Sequence, residues 1–124
     1  MTPRAAGFPK SRRLLRKPDF SRVFDNGFRV QARFATLLLN PNDTGHPRLG
    51  IVASRKLGDA VRRNRAKRVI REVFRRTDAH ASAPVDLVVI PRRELLTAAF
   101  SDVEADLTGA LRRGASRLGG HARK

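Results

Sequence analysis

The sequence predicts an α/β fold: a small two-layer sandwich with helices packed on a small sheet, in the order αββαβα. Three observations predict it. Three short apolar runs are typical of strands, and three segments carry apolar residues at the spacings of amphipathic helices. In addition, 40% of the 124 residues are hydrophobic, which is enough for one buried core. We expect one domain over residues 13–118, with a basic arm at 1–12 and a basic tail at 119–124.

The first half of the chain is predicted to hold one helix and two strands. The helix covers residues 18–26, because a proline suits its first turn and an Asn-Gly pair ends its apolar pattern. The first strand covers residues 30–39 and ends in a compact apolar run, and the second covers residues 48–54. The polar segment at 40–45 is typical of a turn, so we expect the two strands to pair as a hairpin.

The second half is predicted to form a helix, a strand and a helix. Residues 60–77 form the first of these helices. The strand at residues 85–90 is almost entirely apolar, which indicates burial on both faces. Residues 94–117 form a long amphipathic helix whose later turns are weakened by Gly109 and Gly114. A Gly-Gly pair shortly afterwards is expected to close it.

The net charge is the feature that most restricts the function. Lys and Arg number 27 against 11 Asp and Glu, which gives a formal charge of +16. Such an excess on one small domain indicates a polyanionic partner, either nucleic acid or an anionic membrane. No segment resembles a membrane-surface helix, a signal peptide or a membrane span, so we expect nucleic acid and no membrane partner. A GC-rich genome would explain why 22 of the 27 are Arg, but not the net charge.

The residues that usually carry enzyme chemistry form no pattern. The absence of Cys excludes a disulfide framework, a thiolate zinc site and a cysteine nucleophile, and it fits a reducing cytoplasm, where we expect the protein. The three His share no motif. Asp102 and Asp106 would share one side of a helix, but a single carboxylate pair is more typical of a solvated face than of a metal site. We therefore expect no catalytic residue, no protein metal site and no small-molecule substrate.

The helix predicted at residues 60–77 has two contrasting sides. At about 100° per residue, five apolar side chains fall within an arc of about 140°. These are Ala66, Val69, Ile70, Val73 and Phe74. The opposite side carries Asn64, Arg68, Arg71 and Arg75. Residues 55–76 hold ten basic and two acidic residues, whereas an ordinary solvated face would intersperse Asp or Glu. The pattern therefore favours a surface that binds phosphates.

Residues 56–75 resemble the signature of the bacterial ribonuclease P protein family, K-x-G-x-A-V-x-R-N-R-x-K-R-x-x-R-E-x-F-R, at every fixed position. Over residues 12–110 the resemblance also includes Arg13-Leu14, Asp19-Phe20, Val23-Phe24, Gly27, Arg33-Phe34 and Leu49-Gly50. It implies an α/β sandwich similar to ribosomal-protein domains, with a left-handed strand–helix–strand crossover. Because general rules favour the right hand, the left hand is taken from the resemblance alone.

The resemblance also implies a function. The chain would be the protein subunit of ribonuclease P, which binds the catalytic RNA subunit and the 5′ leader of precursor tRNA. The RNA subunit would catalyse endonucleolytic removal of the leader, with Mg²⁺ held mainly by the RNA and the substrate. The implied partners are ribonuclease P RNA and precursor tRNA, and the protein would be monomeric in the holoenzyme.

Two groups of residues receive roles from this resemblance and from the basic helix. The first is expected to contact the RNA subunit: Arg62, Arg63, Asn64, Arg65, Lys67, Arg68, Arg71 and Arg75. The second is expected to line the leader cleft: Phe20, Phe24, Arg33, Arg55 and Lys56. Taken alone, Phe20 and Phe24 would indicate core packing. Asn64 alone would be uninformative, since it could bind RNA or simply cap the helix. Family members often carry a cleft aromatic residue near Leu37, and this chain has no Tyr or Trp.

Three other functions compete with this interpretation. A ribosomal protein or RNA-folding module would share the charge but would lack a leader cleft. A DNA-binding protein would insert the basic helix into a major groove, usually as a dimer. A stand-alone nuclease would need clustered carboxylates or His, and the sequence provides no such cluster.

Overall fold

The computed structural model describes residues 17–44, 47–76 and 85–122, with side chains described as far as residue 118. The helices and strands are α1 (Lys17–Asn26), β1 (Phe28–Gln31), β2 (Ala35–Pro41), β3 (Arg48–Ile51), α2 (Ala60–Arg76), β4 (Val85–Pro91) and α3 (Phe100–Ala122). Two short 3₁₀ helices, Arg55–Leu57 and Arg93–Leu96, precede α2 and α3. The predicted helices at 18–26 and 60–77 and the strand at 85–90 are confirmed, within the described residues. The N-terminal arm lies outside them.

The four described strands form one mixed sheet in the order β1-β2-β4-β3. β1 pairs with β2 and β2 pairs with β4, both antiparallel, whereas β3 pairs with β4 in parallel. The predicted hairpin between residues 30–39 and 48–54 is therefore wrong, because β4 lies between β2 and β3. The five consecutive buried residues that begin β4 need cover on both faces, and a central place in the sheet provides it.

The predicted strand at residues 30–39 is in fact two strands, β1 and β2, joined by a tight connection. Asp106 on α3 holds this connection: its Oδ1 accepts a hydrogen bond from the Arg33 amide at 3.0 Å, and its Oδ2 accepts one from the Phe34 amide at 2.9 Å. These bonds join residues more than seventy positions apart, so the local pattern of polar and apolar residues did not reveal the break.

The helices divide between the two faces of the sheet. α2 and α3 cover one face, where Leu37, Leu39, Leu87 and Val89 belong to the main buried cluster. The intervening residues of the same strands point to the other face. There Leu38 and Val88 pack with Val23 of α1 in a second, smaller cluster. The sheet and the α2–α3 layer thus form the predicted two-layer sandwich, and α1 covers part of the second face.

The connection from β3 through α2 to β4 joins two neighbouring parallel strands, as the predicted strand–helix–strand crossover requires. The hand of this crossover stays a prediction.

The last helix differs from its prediction at both ends. It begins at Phe100 rather than residue 94, because residues 93–96 form a separate 3₁₀ helix. It also continues past the Gly-Gly pair to Ala122. Gly114 is a packing position, because a Cβ there would lie 2.9 Å from both terminal methyl carbons of Leu39. The helix therefore lies close against the sheet at the point where the sequence indicated weakness.

Candidate nucleic-acid interface

The start of the basic helix α2 is fixed by Gly58 and Asp59. Gly58 has a φ of 126°, a left-handed conformation that favours glycine. The next residue caps the helix: Asp59 Oδ1 accepts a hydrogen bond from the Arg62 amide at 3.0 Å, and its carbonyl accepts one from the Arg63 amide at 3.0 Å. Asn64 lies inside the helix and is exposed, so the alternative in which it caps the helix is wrong.

The apolar side of α2 fixes which side of the helix reaches solvent. Ala66, Ile70 and Val73 are fully buried and Phe74 is 1% exposed. Val69 is half-buried against the same cluster. All five residues of the predicted apolar arc therefore face the core. The opposite side of the helix faces solvent as a consequence.

We call the predicted RNA-contacting set the α2 ridge: Arg62, Arg63, Asn64, Arg65, Lys67, Arg68, Arg71 and Arg75. Of these, Arg63, Lys67 and Arg71 are half-buried and the other five are exposed. At about 100° per residue, Arg62 and Arg63 at the start of the helix fall in line with the apolar arc, and the other six fall outside it. Arg75 binds Glu72 at 2.5 and 3.0 Å, and this hydrogen bond lowers the pKa of the Glu72 carboxyl. Within the described part of the chain, no ion pair with a carboxylate is found for five ridge cations: Arg62, Arg63, Arg65, Lys67 and Arg68. The charge of these five side chains is therefore uncompensated.

Phe20 and Phe24 of the second predicted group lie on α1. A network of ion pairs attaches this helix to the sheet. Asp86 of β4 is 1% exposed, and Arg48 of β3 donates to both of its carboxylate oxygens at 2.8 Å. Asn42 adds a third hydrogen bond to Asp86 at 2.7 Å. These hydrogen bonds from Arg48 to Asp86 raise the pKa of Arg48. Arg48 Nη2 also lies 3.4 Å from Asp19 Oδ1 of α1, and Arg22 reaches the same oxygen at 3.3 Å.

The two predicted cleft phenylalanines differ in environment. Phe20 is half-buried against the cluster of Val23, Leu38 and Val88, so core packing accounts for part of its surface. Phe24 is 44% exposed, and core packing does not explain it. Leu38, not Leu37, faces α1, since Leu37 is buried in the cluster on the α2–α3 side. Near the position named in the sequence analysis, the side chain that faces α1 is therefore that of Leu38.

The three predicted cleft cations lie in different places. Arg55 and Lys56 are exposed on the 3₁₀ helix before α2, where Ser54 Oγ accepts a hydrogen bond from the Lys56 amide at 3.3 Å. The guanidinium of Arg33 lies 5.0 Å from the ring centre of Phe34, which belongs to the core beneath α2 and α3. The amide and the guanidinium of Arg33 thus make their described contacts on the α3 side, and neither contacts α1.

Arg92 is a cation on the α1 face that the sequence analysis did not select. Its guanidinium donates to the side chains of Gln31 and Thr36 and to the carbonyls of Ala32 and Arg33, with the Thr36 bond at 3.0 Å. Thr36 and Gln31 alternate with the residues that face α3, so they lie on the face of the sheet that α1 partly covers. The only sign of Arg92 in the sequence was that an Arg follows directly after an apolar strand.

Asp102 and Asp106, the carboxylate pair considered in the sequence analysis, lie in different environments. The Asp106 carboxylate is used by the β1–β2 connection, and Asp102 is exposed. In residues 17–44, 47–76 and 85–122, no three His, Cys, Asp or Glu side chains cluster as metal ligands would. The three His side chains lie outside the described part of the chain. The same residues contain no helix that is long and apolar enough to span a membrane.

These features define a class: a small basic α/β protein with a cationic helix whose apolar side is buried in the core. Comparisons with known proteins give the family. A family model described as Ribonuclease P matches residues 8–114. The ribonuclease P protein component of Thermotoga maritima is 41% identical over 88 residues, which cover 71% of this chain and 75% of that protein. That of Methylococcus capsulatus is 44% identical over 87 residues, covering 69% and 67%.

Solved structures agree with the sequence comparisons. The RNase P protein from Thermotoga maritima has a TM-score of 0.74 and 38% identity, covering 82% of this chain and 96% of that one. The RNase P protein of Staphylococcus aureus has a TM-score of 0.74 and 35% identity, covering 83% and 94%. This chain belongs to the ribonuclease P protein family. Its place is therefore in an endoribonuclease ribonucleoprotein that processes tRNA, with ribonuclease P RNA as its partner.

Proposed function

We propose that the α2 ridge is the surface on which this protein binds ribonuclease P RNA. The observation that carries the proposal is a helix with one side buried to 1% exposure or less at four positions, while Arg65 and Arg68 are exposed to solvent without a carboxylate partner in the described chain. Phosphate groups of a folded RNA would neutralise these cations and release bound counterions. Because α2 is anchored on its apolar side, its cations are already placed and less ordering is required on binding.

We further propose that the 5′ leader of precursor tRNA binds beside α1. Phe24 offers an exposed ring for stacking, and Phe20 offers part of its ring. Arg55 and Lys56 offer exposed charge next to the start of α2. Aromatic surface combined with cations suits a single strand without sequence preference. Arg33 stays a candidate on the resemblance alone.

The proposed reaction is metal-dependent cleavage of the leader with no catalytic protein residue. Mg²⁺ would be held by the RNA subunit and the substrate, where it would activate water and stabilise charge on the cleaved phosphodiester. The protein would reduce repulsion between leader and catalytic RNA and so raise the affinity for substrate. We propose that the protein is monomeric in the holoenzyme and cytoplasmic, as the sequence analysis expects.

Reconstitution with ribonuclease P RNA and precursor tRNA tests the proposal. We expect no cleavage by the protein alone, little cleavage by the RNA alone at low magnesium, and rescue when both are present. Cleavage by the protein alone would support the stand-alone nuclease, and absence of rescue would refute the proposed role.

A triple variant then tests the surface. Replacing Arg65, Arg68 and Arg71 with Ala should reduce the slope of log affinity against log salt by up to about 0.7–0.9 per lost phosphate contact. The matched control replaces three exposed arginines outside the α2 ridge with Ala: Arg22, Arg93 and Arg112. An equal effect of both triple variants would mean that net charge, not the α2 ridge, drives binding.

A further inference from the structure

A second group of cations lies at the opposite edge of the sheet from α2. Arg113 and Arg117 are exposed on α3, four residues apart, and both reach the edge strand β1. The guanidinium of Arg113 donates to the Gln31 carbonyl at 3.1 Å. The guanidinium of Arg117 lies over the ring of Phe28, 4.3 Å from its centre. We call Arg113 and Arg117 the β1-edge pair.

The β1-edge pair is held in place without being neutralised. A backbone carbonyl and an aromatic face orient a guanidinium but leave its full positive charge and most of its five N–H donors available. In the described residues neither arginine makes an ion pair with a carboxylate. The sequence after Asp106 contains no Asp or Glu at all. Pre-placed, uncompensated arginines are suited to bind phosphate in a bidentate manner.

The helix dipole does not account for this charge. Cations are favoured within the last turn of a helix, and α3 continues to Ala122. Arg117 lies more than one turn before that end, and Arg113 more than two turns before it. A role in binding explains both positions better than a local helix preference does.

The surface beside the pair is concave. A cavity of about 410 Å³ opens next to Arg117 and is lined by Phe28, the amide side chains of Asn26 and Asn40, and neighbouring apolar groups. A concave surface lined by two Asn, an Arg and apolar residues is suited to accept a base or a ribose next to the phosphate contacts. This combination of charge and shape fits RNA rather than a protein partner.

The α2 ridge and the β1-edge pair are associated with opposite edges of the sheet. α2 joins β3 and β4 at one side of the sheet, whereas α3 lies over β1 and β2 at the other. Three strand spacings of about 4.8 Å separate the two edges, roughly 14 Å in all. The two groups therefore offer separate surfaces, and the β1 edge can contact an RNA segment other than the one on the α2 ridge.

We propose that the β1-edge pair binds the sugar–phosphate backbone of a second RNA segment, separate from the one on the α2 ridge. The inference rests on the proposed function only in that the partner is RNA. Two sources offer the same chemistry, namely a distant part of ribonuclease P RNA and precursor tRNA outside its leader.

The test compares Arg113→Gln/Arg117→Gln with single Arg112→Gln. Arg112 is the matched control because it is exposed on the same helix, has no ion pair in the described chain and points about 100° away from Arg113. Two lost phosphate contacts should reduce the steepness of the salt slope by about 1.4–1.8. The loss of affinity of the variant relative to the parent protein should therefore be roughly 25- to 60-fold larger at 0.1 M salt than at 1 M salt. Arg112→Gln should leave the slope within experimental error of the parent protein.

Two binding arms identify the source of the RNA. The first measures binding of the protein to ribonuclease P RNA alone, and the second measures binding of precursor and mature tRNA to the assembled holoenzyme. Weaker binding of the variant in the first arm assigns the segment to ribonuclease P RNA. Weaker binding of both precursor and mature tRNA in the second arm, with unchanged binding in the first, assigns it to the tRNA body.

Arg113→Lys/Arg117→Lys, which keeps the charge, should retain most of the slope, and a thermal melt of each variant separates binding from folding. Parent-like slopes in both arms, or an equal effect of Arg112→Gln, would overturn the inference while leaving the α2 ridge intact. Failure of the Arg65, Arg68 and Arg71 variant to change binding would instead count against the proposed function.

Discussion

The Arg48–Asp86 pair offers the sharpest test of how the fold holds α1. In Arg48→Met, Asp86 would lose two hydrogen bonds of 2.8 Å and keep only the one from Asn42. Asp86 is 1% exposed, so its charge would stay buried without a cation. Removing one partner of a buried ion pair costs about 3–5 kcal/mol. The contact between Arg48 and Asp19 of α1 would be lost as well.

Urea denaturation measures this loss. With an m value of about 2 kcal/mol per M, the midpoint should fall by roughly 1.5–2.5 M without a change in m. Arg22→Met is the control, because it removes only the exposed ion pair with Asp19 and should cost at most about 1 kcal/mol. Arg48→Met/Asp86→Leu should recover most of the stability, since apolar residues can replace a buried pair at little cost. A loss below about 1 kcal/mol in the single variant would refute the argument that Asp86 depends on Arg48.

Three further predictions use other features of the molecule. Gly109→Ala should stabilise α3 by about 0.5–1 kcal/mol in a thermal melt, because a Cβ there meets nothing closer than 3.8 Å. Gly114→Ala should give no such gain, because a Cβ there would lie 2.9 Å from the methyl carbons of Leu39. Equal gains would contradict the close packing of α3. Glu72 has a lowered pKa, so its contribution to stability is present above its unfolded value near 4.5 and is lost as pH falls through the lower folded value. The stability difference between the parent and Glu72→Gln should therefore vanish in acid, and a constant difference from pH 7 to pH 3 would count against the assigned shift. Phe24→Ala should weaken binding of precursor tRNA to the holoenzyme more than that of mature tRNA, with little change in melting temperature because the ring is 44% exposed; equal losses for both RNAs would remove Phe24 from the leader site.

The parts of the fold that follow local rules were predictable from the sequence. α2 is the clearest case, because residues three and four positions apart on one turn decide both its buried side and its exposed side. α1 was equally predictable from its breakers and its spacing. In both helices the forces that select the structure act between residues near one another in the chain.

The parts that depend on distant residues were not predictable in this way. The strand order requires β4 to enter between β2 and β3, which lie more than thirty residues earlier in the chain. The split between β1 and β2 depends on Asp106, and the α1 face depends on Arg92 and on the Arg48–Asp86 pair. A buried Asp within an apolar strand was a visible signal of a partner, but the sequence did not say which cation would supply it.

The exposed and the buried side of α2 have different roles, and this difference has a consequence for mutational studies. Arg65 and Arg68 are exposed, and in the described chain no ion pair ties them to the rest of the domain. Ile70 and Val73, a few residues away, are fully buried. Substitution of Arg65 or Arg68 should therefore affect growth only when the ribonucleoprotein is needed. Substitution of Ile70 or Val73 should instead reduce the amount of protein in the cell. One short stretch of sequence thus lets a single selection experiment separate loss of assembly from loss of the folded molecule.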